Sequence, residues 1–405
     1  MPAALLSRNR NYRLLFSAGA LTNLGDGLIV LALPWLATLM TQNPLAIGAV
    51  AAAGRLPWLF FAIPAGVIID RADHRKLIAR ADLMRAVIVF TILMLALNDQ
   101  VPGAVWLLAG LAFLLGSAEV LRDNAAQTIL PSIVDPDDLE AANGQLWSTE
   151  QLTGQFIGPP LAGILIAAGI GIPFGLDVAL LVLAAGLVWL ITLQPQLRVQ
   201  TSFREALLQG IAFMRGDRLL LRLAVVLGVA NFLATATLTV QVLFAQEVLG
   251  LSAAEYGFIL SVAAVGAITG SLLAPQITKA LGIQLCLYLS VATWGAGYVL
   301  IGISTSSLVM ALSLFAVMAA AMLWNVITVS WRQRRIPSDL LGRVNSIYRF
   351  FGWGSMPLGA LAGGFAVSVL QDDLGRDMAI RAPFLLAGLS CFGLLVYAVF
   401  KLRLD

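Results

Sequence analysis

The chain has 405 residues, of which 60% are hydrophobic and only 12% are charged. Water-soluble domains carry about 25% charged residues, so this composition excludes an ordinary soluble protein and favours one whose sides are covered by lipid. The formal net charge of +3 carries no information as a total, but the positions of the basic residues do. The two cysteines, Cys286 and Cys391, lie in apolar runs, so we expect neither a disulfide framework nor a metal site.

The chain has room for twelve apolar runs of the roughly 20 residues that a membrane-spanning helix needs. Its basic start (Arg8, Arg10 and Arg13) resembles that of a signal peptide, but the apolar stretch that follows continues to about Met40. That is longer than the apolar core of a signal peptide, which has about 7–15 residues, so we interpret it as a retained first span. The predicted spans cover residues 14–40, 45–69, 81–98, 103–122, 143–168, 174–193, 221–245, 255–274, 285–303, 308–329, 343–370 and 382–400.

An even number of spans places both termini on one side of the membrane, and the side rich in Lys and Arg is the cytoplasmic one. Basic residues follow the second, sixth, eighth, tenth and twelfth spans, whereas on the opposite side only the last loop is basic, with Arg376 and Arg381. The sequence thus predicts a multi-pass protein of the cell (inner) membrane with both termini in the cytoplasm.

The longest polar stretch, residues 194–220, divides the chain into an N-terminal half, residues 1–193, and a C-terminal half, residues 221–405. Apolar residues recur among the charges of this linker, which predicts an amphipathic helix on the membrane surface. An offset of 209 residues relates the halves loosely, since it places Gly257 on Gly48. The expected fold class is therefore an all-α membrane protein of two six-helix bundles.

Two ionisable residues lie near the middle of predicted spans, where such groups are costly and mark functional sites. Asp26 lies 12 residues into the first span, and Arg55 lies 14 residues from the cytoplasmic end of the second. At about 1.5 Å per residue, both are close to the midplane of the membrane. The same offset places Thr235 and Ala264 at the equivalent positions of the C-terminal half, so the central charge is confined to one half.

We hypothesise that Asp26 faces Arg55 and is the carboxylate that couples a proton to substrate movement. Burial and a neighbouring arginine act in opposite directions on proton binding by a carboxylate, which suits a group that exchanges a proton. The alternative is a static buried ion pair that fixes the packing of the helices.

The loop at residues 66–76 reads G-V-I-I-D-R-A-D-H-R-K. It resembles the loop signature of the major facilitator superfamily of transporters, most closely in the branch of enterobactin and macrolide exporters. Gly66, Asp70 and Arg71 match that signature, whereas Asp73 stands where a second glycine is usual. Segments that also resemble this branch are R-N-Y-R-L-L-F at residues 10–16, L-G-D-G at 24–27, R-L-P-W-L at 55–59, A-A-N-G at 141–144 and G-P-P-L-A-G at 158–163.

The resemblance implies a twelve-span transporter of the drug-efflux type that works by alternating access, with the substrate site between two parallel repeats. In this superfamily the loop arginines pair with an acid at the end of the fourth span. The resemblance therefore assigns a cytoplasmic gate to Gly66, Asp70, Arg71, Arg75 and Asp123, with Asp123 bound to Arg71 or Arg75.

The fifth span resembles the glycine–proline motif associated with export, in which small residues permit close helix approach and proline kinks the helix. Ordinary close packing is the alternative interpretation. Another exporter pattern, an arginine ahead of a glycine in the fourth span, is missing, since Ala112 and Phe113 precede Gly116. The residues of the helix-kink motif are Gly154, Gly158, Pro159 and Gly163.

Further polar residues within the spans are candidates for lining a substrate cavity: Glu150, Asn231, Gln241 and Asn325. The central spans are otherwise mostly apolar, which favours an amphipathic or lipophilic substrate over a sugar.

The sequence lacks a phosphate-binding G-x-x-x-x-G-K-[ST] loop and the H-E-x-x-H and G-x-S-x-G motifs. We therefore expect neither an ATP-driven pump nor an enzyme, and no cofactor. The expected function is export of a small amphipathic compound, such as a drug, macrolide or siderophore, by proton antiport. We expect a monomer that binds its substrate, protons and the lipid bilayer but no nucleic acid. An importer or facilitator of the same fold, and a non-transporting membrane scaffold or sensor, are the alternatives.

Overall fold

The computed structural model of the protein describes residues 2–98, 103–135, 138–192, 212–336 and 350–402, together with Val344 and Tyr348. The side chains of residues 2–4, 62–71, 140, 141 and 333 lie outside that description. Within these limits the regular structure is helical and contains no strand. The α-helices are α1 (Pro2–Arg8), α2 (Arg10–Met40), α3 (Pro44–Arg71), α4 (His74–Ala96), α5 (Ala104–Ile129), α6 (Leu139–Glu150), α7 (Gly158–Ala168), α8 (Ile172–Trp189), α9 (Arg218–Leu243), α10 (Ala253–Leu281), α11 (Ile283–Ile303), α12 (Ser307–Arg335), α13 (Met356–Leu374) and α14 (Arg376–Lys401).

Short polar side chains mark the beginnings of three helices. Asn9 precedes α2 and accepts a hydrogen bond from the Tyr12 N–H at 2.9 Å, and Asp73 precedes α4 and accepts one from the Lys76 N–H at 3.2 Å. Asp217 caps α9 in the same way. Each of these residues satisfies N–H groups that the first turn of a helix leaves without a partner.

Two helices change their pitch. The segment Gln151–Ile157 between α6 and α7 is a π-helix, and so is Phe244–Val248 at the end of α9. Such segments are rare and occur frequently at functional sites. The first of them contains Gly154 of the predicted helix-kink motif and precedes Pro159.

Ten of the described helices are long and apolar enough to cross a membrane. Large apolar side chains point outward from them, such as Phe258, which is 66% exposed, and Phe400, which is 71% exposed. Lipid accounts for this exposure, and helices satisfy the backbone groups that lipid cannot. The predicted all-α membrane protein is confirmed. The ten stretches are Arg10–Met40, Pro44–Phe61, Ala104–Ser132, Ile172–Trp189, Arg218–Val248, Ala253–Leu281, Ile283–Ile303, Ser307–Arg332, Phe350–Leu374 and Arg376–Lys401.

The third and fifth predicted spans are not among these ten. The third corresponds to α4, which is apolar after its first turns but carries Arg80, Asp82 and Arg85. The fifth corresponds to α6, the π-segment and α7, which follow one another without a break in helical structure. The full number of twelve membrane spans stays a prediction.

The chain forms two compact units. In the first, α2 packs against α7 and α8, and α4 packs against α5 and α8; in the second, α9 packs against α13, and α11 packs against α12 and α14. The predicted amphipathic linker helix lies outside the described residues except for its end, residues 212–220. The first unit comprises Met1–Gln42, Ala53–Val199 and Leu251–Ser261, and the second comprises Asn43–Ala52, Gln200–Gly250 and Val262–Asp405.

Candidate functional site

Three consecutive residues of α2, Gly25, Asp26 and Gly27, each lie against a different neighbour. A Cβ atom added to Gly25 would collide with the Asp177 carboxylate of α8, and one added to Gly27 would lie 2.9 Å from the Cα atom of Gly158 in α7. Between the two glycines, the carboxylate of Asp26 forms an ion pair with Arg85 of α4. Small residues therefore let α2 approach two helices closely while its one acid reaches a third.

Arg85 is the central cation of this arrangement. Its side chain is only 1% exposed, whereas that of Asp26 is 33% exposed. A second carboxylate, Asp82 on the same helix, is completely buried and lies 3.8 Å from the Arg85 guanidinium. Such spacing, three residues apart, places both side chains on one face of α4.

Arg122 of α5 continues the network. Its guanidinium lies 3.6 Å from Asp82 and 3.1 Å from Asp123, and it donates a hydrogen bond of 2.6 Å to the Thr22 hydroxyl. Thr22 lies one turn before Asp26 on the same face of α2. The resulting buried ion network therefore connects α2, α4 and α5, and we define it as Asp26, Asp82, Arg85, Arg122 and Asp123.

Asp177 lies beside this network without belonging to it. Its side chain is completely buried, and neither carboxylate oxygen has a hydrogen-bond partner in the described part of the chain. Helix α8, which carries Asp177, packs against both α2 and α4.

The predicted pairing of Asp26 with Arg55 is wrong, because Asp26 pairs with Arg85 instead. Helix α3 packs against α5 instead, with the Gly54 carbonyl against Gly116 and the Phe61 ring 5.9 Å from that of Phe113. Arg55 is exposed, whereas the guanidinium that reaches Asp26 is that of the buried Arg85.

The predicted pairing of Asp123 with Arg75 is also wrong. Asp123 pairs with its neighbour Arg122, while Arg75 donates a hydrogen bond of 3.0 Å to the Ile191 carbonyl and lies over the Trp189 ring. Arg75 thus binds the C-terminal end of α8, where free carbonyls attract a cation. The side chains of Gly66, Asp70 and Arg71 lie outside the described residues, so the rest of the predicted gate stays a prediction.

The residues of the helix-kink motif lie at close helix contacts. An added Cβ atom would come within 2.7 Å of the Gly27 carbonyl carbon at Gly158, and within 2.8 Å of the Ala254 Cα atom at Gly163. At Gly154 the nearest atom would be the Asn23 carbonyl oxygen, 3.2 Å away, while the Pro159 carbonyl lies against Gly257 of α10. The motif therefore joins α7 to α2 on one side and to the beginning of α10 on the other.

The predicted cavity residues are found in differing surroundings. Glu150 and Asn325 are exposed. Asn231 donates a hydrogen bond of 3.0 Å to the Gly352 carbonyl within the second unit. Gln241 is 4% exposed, and no described residue accepts from its side-chain nitrogen.

The sequence contained a signal for the residues that our reasoning passed over. Asp82 and Arg85 interrupt an apolar helix three residues apart, which is the spacing of an intrahelical pair. Asp177 is a single acid in an apolar run, of the kind that marks a functional candidate by default. In the described residues no group of His, Cys, Asp and Glu is arranged to hold a metal ion.

Long apolar helices that surround a buried ion network define a multi-pass membrane protein of the transporter class. The chain belongs to the transmembrane secretion effector family of the major facilitator transporters, whose model matches residues 3–402.

Curated relatives cover almost the whole chain. It is 26% identical to the enterobactin exporter EntS of Salmonella choleraesuis (strain SC-B67) over 413 residues, which span 98% of this chain and 93% of the relative. It is 27% identical to EntS of Shigella boydii serotype 18 over 415 residues, which span 98% and 92%. The chain is therefore a membrane transporter related to exporters of enterobactin.

Solved structures show the same fold. A mutant of the nucleoside transporter NupG superposes with a TM-score of 0.79 at 15% identity, covering 98% of this chain and 100% of that one. A bacterial homologue of the iron transporter ferroportin, in an inward-facing state, superposes with a TM-score of 0.72 at 16% identity and covers 95% and 98%. At these identities the likeness extends to the fold alone.

Proposed function

We propose that this transporter exports a small amphipathic compound in exchange for protons, and that Asp26 is the coupling carboxylate. The observation that supports this proposal is the asymmetry of its ion pair: Asp26 is one-third exposed, whereas its partner Arg85 is almost completely buried. A charged side chain in the middle of an apolar helix faces water or protein rather than lipid. Asp26 is thus the member of the pair that water can reach.

The pair has two alternative states. The ionised carboxylate binds the guanidinium of Arg85, and a proton competes with that guanidinium for the same oxygen atoms. Protonation of Asp26 frees Arg85, so proton binding and the ion pair that connects α2 to α4 are linked. A transporter needs such a link, because a ligand shifts a conformational equilibrium only by its differential affinity for the two states.

Export is supported by the relationship to the EntS exporters over nearly the full length of both chains. Of the predicted cytoplasmic gate, Gly66, Asp70 and Arg71 remain its proposed members, because Arg75 and Asp123 bind other partners. We also propose that both termini are on the cytoplasmic side. Arg55 and Glu150 are exposed although they lie within predicted spans, which suits the wall of an aqueous cavity. Asn231, Gln241 and Asn325 are the proposed polar residues of the C-terminal half.

Transport into inside-out membrane vesicles tests the proposal. The vesicles are given enterobactin, a macrolide and a lipophilic cationic dye, with and without an acidic interior. We expect at least one compound to accumulate only when the proton gradient is present, and Asp26→Asn to abolish that dependence. Asp372→Asn, which changes an exposed acid, is the matched control and should transport normally. Undiminished proton-driven accumulation by Asp26→Asn would reject the role of Asp26, and gradient-driven release from the vesicles would indicate an importer.

A further inference from the structure

Asp177 is a buried carboxylate, and both cations of the neighbouring buried ion network already pair with other acids. Its side chain is 0% exposed, and its two oxygen atoms have no hydrogen-bond partner among the residues that the structure describes. An ionised carboxylate in such a place is far more costly than a neutral carboxylic acid, unless it is paired.

The charged groups whose electrostatic influence reaches Asp177 are on two helices. Helix α2 contributes Asp26, which is next in sequence to the glycine against which Asp177 lies. Helix α4 contributes Asp82 and Arg85. Helix α7 also packs against α8, but residues 158–168 contain no titratable group. Arg85 is therefore the only cation among these neighbours, and it already pairs with Asp26 and lies 3.8 Å from Asp82.

We propose that Asp177 is a proton-binding site of the transporter, which stores a proton while Asp26 is paired with Arg85 and passes it to Asp26 when Arg85 turns to Asp177. This inference rests on the proposed coupling role of Asp26. In the transfer, the O–H bond of Asp177 breaks and an O–H bond of Asp26 forms, while the guanidinium moves in the opposite direction. The total charge of the buried site is the same before and after, so no uncompensated charge is created in the membrane.

The arrangement gives the two acids distinct tasks. Asp26 is partly exposed and exchanges its proton with water, whereas Asp177 is sealed and exchanges only with Asp26. Gly25 makes this possible, because any larger residue would fill the space that the Asp177 carboxylate occupies.

Infrared difference spectroscopy on the purified full-length protein at neutral pH tests this proposal, because a protonated carboxyl has a C=O stretching band that an ionised carboxylate lacks. We expect Asp177→Asn to remove one such band from the wild-type spectrum. We also expect Asp26→Asn to remove the same band, because Arg85 loses its partner and then binds Asp177 in its ionised form. Asp372→Asn should leave the spectrum unchanged.

An unchanged band in Asp177→Asn, or a band that persists in Asp26→Asn, would overturn the proposal. Thermal melting provides a second measurement: an amide replaces a neutral acid well, so the melting temperature of Asp177→Asn should equal that of the wild type. A variant that unfolds or fails to fold would show that an amide does not replace the group at this position, and would count against the proposal. Neither measurement needs a transport substrate, so a failure here is separate from a failure of the vesicle experiment.

Discussion

The ion pair between Asp26 and Arg85 joins a carboxylate that is one-third exposed to a guanidinium that is 1% exposed. Arg85 therefore cannot turn to solvent when the pair breaks, and its charge must be taken up by another buried acid. Asp82 lies 3.8 Å away on the same helix, and Asp177 lies against the α2 backbone beside Asp26. Neutralisation of Asp26 therefore changes which buried acid of the first unit pairs with Arg85.

Arg85→Gln should destabilise the protein strongly. It removes the cation from Asp26 and from one side of Asp82, and removing one partner of a buried pair costs about 3–5 kcal/mol. Because Asp26 is partly exposed, we expect a loss near the lower end of that range, measured by thermal unfolding in detergent micelles. Arg55→Gln makes the same chemical change at an exposed position and should have little effect. Equal losses in the two variants would contradict the assignment of Arg85 as the central cation.

Gly158→Ala should force α7 away from α2. The added Cβ atom would lie 2.7 Å from the Gly27 carbonyl carbon, which is backbone and cannot turn aside. Overpacking of this kind costs about 1–3 kcal/mol and should lower both the melting temperature and the transport rate. Gly186→Ala in α8 is the matched control, since no atom lies within 4 Å of its added Cβ. There the better helix propensity of alanine, worth up to about 1 kcal/mol, should leave stability equal or slightly higher.

Ser261→Ala should loosen the π-helical segment. The Ser261 hydroxyl of α10 donates a hydrogen bond of 3.1 Å to the Phe156 carbonyl in that segment. A hydrogen bond of this type contributes about 1 kcal/mol, so we expect faster amide exchange in residues 151–157. Ser290→Ala is the comparison, because the only described partner of the Ser290 hydroxyl is the Cys286 carbonyl of its own helix. Exchange in the π-segment that is unaffected by Ser261→Ala would show that the hydroxyl does not hold it.

Asp217 should stabilise the second unit in a pH-dependent way. Partial burial raises the pKa of Asp217, but the hydrogen bond from Arg335, at 2.7 Å, and those from the Leu220 and Leu219 N–H groups outweigh burial and lower the pKa below 3.8. A carboxyl whose pKa is lowered by folding contributes stability above its ordinary pKa, and that contribution disappears as the pH falls through the lowered value.

The size of this effect is modest, because the side chain of Arg335 is 52% exposed. Asp217→Ala removes a helix cap and should cost about 0.5–2 kcal/mol at neutral pH. Asp217→Asn keeps a capping oxygen and should cost less, about 0–1 kcal/mol for an exposed ion pair. Melting temperatures measured from pH 7 downward should converge for wild type and Asp217→Asn in acid. A gap that widens on acidification would be the opposite of what this geometry requires.

The fold was predictable because helices surrounded by lipid have a simple sequence pattern. Runs such as Ile283–Ile303 are apolar on every side, and their length alone indicates a spanning helix. α4 shows the limit of this reasoning: the charges in its first half resemble a polar segment, and only the packing of α4 against α5 and α8 shows that two of them, Asp82 and Arg85, are buried. The π-segment has no sequence signature of its own, since its pitch depends on the helices against which it packs.

The site was predictable only in part. Asp26 stood out because it is a single acid in a long apolar run, but its partner could not be identified from depth alone. Arg55 and Arg85 are both available in neighbouring helices, and the choice between them depends on helix rotation. The rotation of each helix depends on the neighbours against which it packs: Arg55 of α3 is left exposed, whereas Arg85 of α4 is buried beside Asp26.

The Gly25–Asp26–Gly27 triplet has a consequence for how this protein can change. Each of its three positions contacts a different partner, so no change at one position compensates for a change at another. A residue larger than Gly25 would displace Asp177, and a neutral residue in place of Asp26 would release Arg85. A residue larger than Gly27 would separate α7 from α2. Mutational libraries selected for new cargo should therefore accumulate changes elsewhere along the cavity wall, while this turn of α2 tolerates almost none.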